Sequence, residues 1–116
     1  MPIVLPRVKI TREYVESHYR LTCEDMAKRA SYPVYVAVIS LLSMGPQYPV
    51  DIQWVTLEKM RIGDAFPALI AMECLGLIEP VGRPIDATKP HGTTQIRLTV
   101  EPSEALERIR AVLSGP

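Results

Sequence analysis

Residues 56–82 read TLEKMRIGDAFPALIAMECLGLIEPVG, and their punctuation decides the fold. Arg61-Ile62-Gly63 interrupts an otherwise helical pattern, so two helices joined by a tight turn are expected. The second carries its own start and stop. Asp64 can accept from the orphan amides of the first turn, and Pro67 falls where its missing donor costs little. Gly76 stands where a left-handed residue closes a helix. Phe66, Leu69, Ile70, Cys74 and, past the glycine, Leu77 recur at helical spacing and are expected to face inward. Ala65, Ala68, Ala71 and Met72 are left to face outward. Residues 77–81 leave the helix as a short apolar strand, and its partner is expected over 93–100, where Ile96, Leu98 and Val100 alternate with Gln95, Arg97 and Thr99. Helix, turn, helix and β-hairpin follow in that order.

These letters carry a resemblance. The turn "RIG" at 61–63, opening a helix that ends "ME-x-x-GLIEP" at 72–80, resembles the winged-helix γ domain at the C-terminus of FtsK-type DNA translocases and, almost equally, winged-helix transcription regulators. The resemblance covers about residues 34–82. It implies an α+β winged helix-turn-helix, with a three-helix core and a β-hairpin wing, that binds duplex DNA. Its recognition helix would be residues 64–75. The family's helix is rich in Asn and Arg, whereas this one holds no basic residue. Base edges are read by bidentate donors such as Arg, Asn and Gln, and none is present here.

Around that centre the chain reads as one domain of 116 residues, long enough to bury roughly 65% of its surface without staples. Residues 1–10 contain two prolines and suggest an extended arm or edge strand. Thr11 with Glu13, and Thr22 with Glu24 and Asp25, are N-cap signatures for helices over 11–19 and 23–29. Residues 34–44 are apolar almost throughout. Four β-branched residues favour a strand there, but the length and the closing Gly45-Pro46 favour a buried helix, taken as the first of the core. Val50-Asp51-Ile52 is expected as a short strand beside the wing, and Trp54 as a core or interface anchor. Residues 102–113 place Ala105, Leu106, Ile109, Val112 and Leu113 on one stripe. The N-terminal helices and this last helix lie outside the three-helix core. Their stripes need cover, either in a homodimer or against the domain's own core.

Thirteen basic residues against thirteen acidic ones make phosphate neutralisation a local affair. The candidate phosphate contacts are Lys59 and Arg61 at the turn and Arg83, Lys89, His91 and Arg97 on the wing. The competing reading is a protein-interaction module whose contact face is Ala65, Ala68 and Met72 on the apolar recognition helix. Cys23 and Cys74 form no CxxC motif and have no histidine pair nearby. They read as buried thiols of a reducing compartment, with a disulfide as the alternative. No histidine, cysteine and carboxylate cluster stands at metal-ligand spacing, and neither a phosphate loop nor a GxSxG elbow is present. The expectation is a protein without cofactor, metal or catalytic activity. No apolar run approaches the ~20 residues of a membrane span, and residues 1–15 lack a signal-peptide core, so a cytoplasmic protein with no membrane partner is expected.

Overall fold

The computed structural model describes residues 10–81 and 94–115, with the backbone of two short strands, β1 (Val4–Leu5) and β3 (Ile85–Asp86). These two pair antiparallel, Val4 opposite Asp86 and Leu5 opposite Ile85, which agrees with the extended arm expected from residues 1–10. The architecture is α+β, with six helices and an antiparallel pair, β2 (Ile78–Pro80) and β4 (Ile96–Leu98), among the described residues.

The N-caps form as their letters demand. Thr11 Oγ1 accepts from the Tyr14 amide at 3.1 Å and opens α1 (Arg12–Tyr19). Thr22 Oγ1 accepts from Asp25 at 3.0 Å and opens α2 (Cys23–Ala27). Pro33 sits in the first turn of α3 (Tyr32–Ser43), and helix wins over β-branching in that apolar run because Val34, Tyr35, Val38, Ile39 and Leu42 are all buried. Packing around the whole helix outweighs a propensity difference of a few tenths of a kcal/mol per residue.

The strand expected at Val50-Asp51-Ile52 is instead the body of α4 (Pro49–Trp54). Pro49 presets φ at the first helical position, and the Tyr48 carbonyl accepts from Asp51 at 3.0 Å and Ile52 at 3.2 Å, which closes the first turn. The sheet is met one step earlier, where Gln47 and Ile96 exchange backbone hydrogen bonds at 3.0 and 2.8 Å. Thus β4 lies between Gln47 and β2. Helix α4 continues into a π-helical turn, Val55–Lys59, in which the Met60 amide reaches the Val55 carbonyl at 2.8 Å.

Helix α5 (Phe66–Cys74) ends on the predicted mark but begins one residue later than expected, with Ala65 rather than Asp64 at its N-cap. Asp64 Oδ1 accepts from the Phe66 amide at 2.8 Å. Gly76, at φ +79°, lets Leu77 donate to Met72 at 2.8 Å and its own amide donate to Glu73 at 3.0 Å, the double closure of a Schellman end.

Its inward face is the expected one only in part, for Leu69 and Leu77 are buried as read, while the expected outward residues are buried as well. Ala65, Ala68, Leu69 and Met72 face the main core, whereas Phe66 is exposed. The opposite side, Ala71 with Ile70 and Cys74, joins a second cluster built on Val15, Met26 and Ala27. The helix is covered on two sides, and an all-apolar helix is the pattern that permits it. Helix α2 packs along α5, and Ala105 and Ile109 of α6 (Pro102–Ser114) complete the core beside α3. The stripes of α1, α2 and α6 therefore find cover within the domain.

Candidate functional site

The surface that a helix-turn-helix would present to a partner is built here by α4, the turn at 61–63 and the start of α5. The turn is made by two left-handed residues, Arg61 at φ +56° and Gly63 at φ +144°. The π turn supplies the closing bonds, because Ile62 donates 2.9 Å to the carbonyl of Thr56, six residues back. Thr56 itself is buried, and its hydroxyl donates to Gln53 O at 3.3 Å. Gln53 Oε1 then accepts from the Ala65 amide at 2.8 Å, so α4 fixes where α5 starts. A Cβ on Gly63 would stand 3.2 Å from Val34 Cγ2, which shows how closely the turn lies on α3.

The outer side of α5 is not available to a ligand. Helices α1 and α2 lie across it, and Glu73 near its end is buried, its Oε2 accepting from the Ile10 amide at 2.9 Å. Ala65, Ala68 and Met72, expected as an outward protein-binding face, have no exposed surface. They are core residues because the main cluster lies on their side of the helix. A small or flexible apolar side chain suits either a core or an interface, so residue type alone did not separate the two.

The basic residues are spread apart. Lys59 and Arg61 are exposed at the end of α4 and in the turn. Arg97 faces solvent on β4, where its Nε donates 2.8 Å to Oε1 of Glu79, its cross-strand partner. Arg83, Lys89 and His91 lie outside the described residues. On α1, His18 stacks on Tyr14 with centroids 5.1 Å apart and meets Tyr19 edge-on at 4.7 Å.

The feature that sequence reasoning missed is an apolar ridge on α4. Ile52 and Thr56 turn inward, and Val50, Trp54 and Leu57, at i, i+4 and i+7, occupy the outward side. Trp54 is 56% exposed and Met60, at the end of the π turn, is 50% exposed. Phe66 adds a further exposed ring at the start of α5. The helical spacing is present in the sequence, but an extended reading of residues 50–52 hides it, since period 3.6 has no meaning in a strand.

Both cysteines are free thiols. Cys23 is fully buried at the start of α2, and Cys74 closes α5 with its thiol donating to Ala71 O at 3.3 Å. Burial, and then a hydrogen bond with the Cys23 thiol, push the Cys74 thiol well above its ordinary value, so it stays neutral. Arg12 reaches Glu24 in a two-pronged ion pair, 2.9 and 3.0 Å, beside this pair. Its guanidinium holds the Glu24 carboxyl below the usual range. Among the described residues no group of three His, Cys, Asp or Glu side chains could hold a metal ion, and no helix is long and apolar enough to cross a membrane. No protein-family model, no curated protein and no solved structure matches this chain.

Proposed function

We propose that the protein is an interaction module on a winged-helix scaffold, docking a protein partner through the α4 ridge. The carrying observation is the pairing of a buried α5 with an exposed Trp54. Large aromatic side chains left in water cost free energy that a partner recovers, and Trp is the residue most enriched at binding hot spots. The scaffold reading is supported by the order α3, Gln47 bridge, α4, α5, β2 and β4, with β4 between Gln47 and β2. The module works in the cytoplasm without cofactor or catalysis.

Duplex DNA is the second reading, favoured by the exposed Lys59 and Arg61 at the turn. It calls for phosphate contacts alone, since α5 presents no donor to a base edge. One pair of variants separates the readings. Trp54→Arg should remove a protein partner captured by the immobilised parent, while Arg83→Glu with Lys89→Glu leaves that capture intact. If Trp54→Arg changes nothing, and the parent retains duplex DNA at low salt in a manner lost on the double reversal, the DNA reading replaces this one.

A further inference from the structure

Resting on the reading of the α4 ridge as a protein-docking surface, we infer that its occupant is a second copy of this chain, with the two α4 helices antiparallel about a two-fold axis beside Val55. The first support is the order of charges along one flank. Asp51, Val55 and Lys59 follow at four-residue steps on the same side of the ridge, with an acid at one end, a base at the other and an apolar residue between. Asp51 and Lys59 are both exposed, and neither makes an ion pair among the described residues.

A two-fold axis makes residue i of one copy meet residue j of the other, and j meet i. In an antiparallel pair of helices each flank meets its own counterpart running the opposite way. With the axis beside Val55, Asp51 of each copy faces Lys59 of the other, and both ion pairs form at once. In a parallel pair the two-fold runs along the helices and sets each flank against the opposite flank of the partner, so Asp51 and Lys59 of the two copies lie on opposite sides of the seam and do not meet. The charge order thus selects one arrangement.

The area agrees. Val50, Trp54, Leu57 and Met60, each two-fifths exposed or more, present on the order of 400 Å² per copy, given that the largest aromatic side chains span about 150–250 Å². Two copies supply about 800 Å² of apolar surface, most of the roughly 900 Å² in a standard 1,600 Å² interface. Trp54 lies closest to the axis on each copy, where interface energy concentrates.

The test is the mass of the full-length chain by sedimentation equilibrium from micromolar to millimolar concentration, with the emission of the single tryptophan recorded alongside. The parent should dimerise, and Trp54 emission should move to shorter wavelength as it does. Trp54→Asp should be monomeric with unchanged circular dichroism. Asp51→Lys and Lys59→Asp should each raise the dissociation constant by about tenfold, the scale of a like-charge contact at an interface rim. The double variant Asp51→Lys/Lys59→Asp should return to near the parent value, a recovery that loss of stability cannot imitate. A parent that stays monomeric throughout, or a double variant as weak as the singles, overturns the inference. If that monomer still captures another protein through Trp54, only the identity of the occupant was wrong. If capture ignores Trp54, the docking reading falls with it.

Discussion

The Tyr35 hydroxyl donates 2.7 Å to the carbonyl of Ala27, joining the first turn of α3 to the end of α2 through a bond with no access to water. This bond holds the N-terminal pair of helices against the core, and with them the cover on α5. Tyr35→Phe keeps the ring and leaves the Ala27 carbonyl only the long 3.4 Å bond from the Ala30 amide, which should cost about 0.5–1.5 kcal/mol. Urea unfolding should show a lower midpoint with an unchanged slope. A midpoint equal to the parent's would mean that the bond contributes nothing.

The same tyrosine makes the protein sensitive to alkali. Burial raises its phenol well above the ordinary 10.0, and burial with the Cys23 contact raises the Cys74 thiol above 9.0. In both cases the folded value exceeds the unfolded one, so the stabilisation is whole below the ordinary values and is lost as pH climbs through them. Unfolding free energy should be flat from pH 7 to about 8.5 and fall from there to pH 11. Tyr35→Phe should show a shallower fall. Alkylation at pH 8 should mark neither thiol in the folded state, and both once urea is added. Fast labelling of Cys23 in native buffer would contradict its placement.

Two glycines should respond differently to alanine. Gly63→Ala meets both a φ of +144° and the Val34 methyl at 3.2 Å, and should cost well over about 1 kcal/mol. Gly76→Ala meets the left-handed backbone alone, with nothing within 4 Å of its Cβ, and should cost about 1 kcal/mol. Gly76→Asn should recover part of it, as asparagine tolerates that region. Equal losses for Gly63→Ala and Gly76→Ala in thermal melts would show that the Val34 contact relaxes freely.

The face of α5 can be read by substitution. Leu69→Ala should cost about 2–5 kcal/mol, and Ala68→Arg should prevent folding, since no space exists for the new side chain. Leu57→Asn on the ridge should change monomer stability by under about 0.5 kcal/mol. If Ala68→Arg melts like the parent, α5 is turned the other way.

Local punctuation was legible in the sequence: the caps at Thr11 and Thr22, the stop at Gly76 and the stripe of Ala105 and Ile109 formed as read, while Asp64 stands one residue before the cap of α5. These depend on neighbours within one turn. The facing of α5 was not legible, because Phe66, Ala68, Ile70 and Met72 are all apolar and only the arrival of α1 and α2 decides which side is which. The ridge failed for a related reason. Pro49 is equally at home at a strand edge and a helix start, and reading Val50 to Ile52 as extended scattered Trp54 and Leu57 onto unrelated sides. Of the proposed site, only Trp54 reads from the sequence as an anchor.

The placement of α6 beside α3 has a bearing on the order of assembly. Ala105 and Ile109 fill the same cluster as Val34, Val38 and Ile39, so the first core helix waits for a partner that is synthesised after all the intervening chain. Closing so long a loop must precede the contacts that reward it, at an entropic cost that grows with the logarithm of the separation, and folding slows as such non-local contacts accumulate. An emerging nascent chain exposes the apolar α3 until α6 arrives, and α3 is the segment a chaperone would hold.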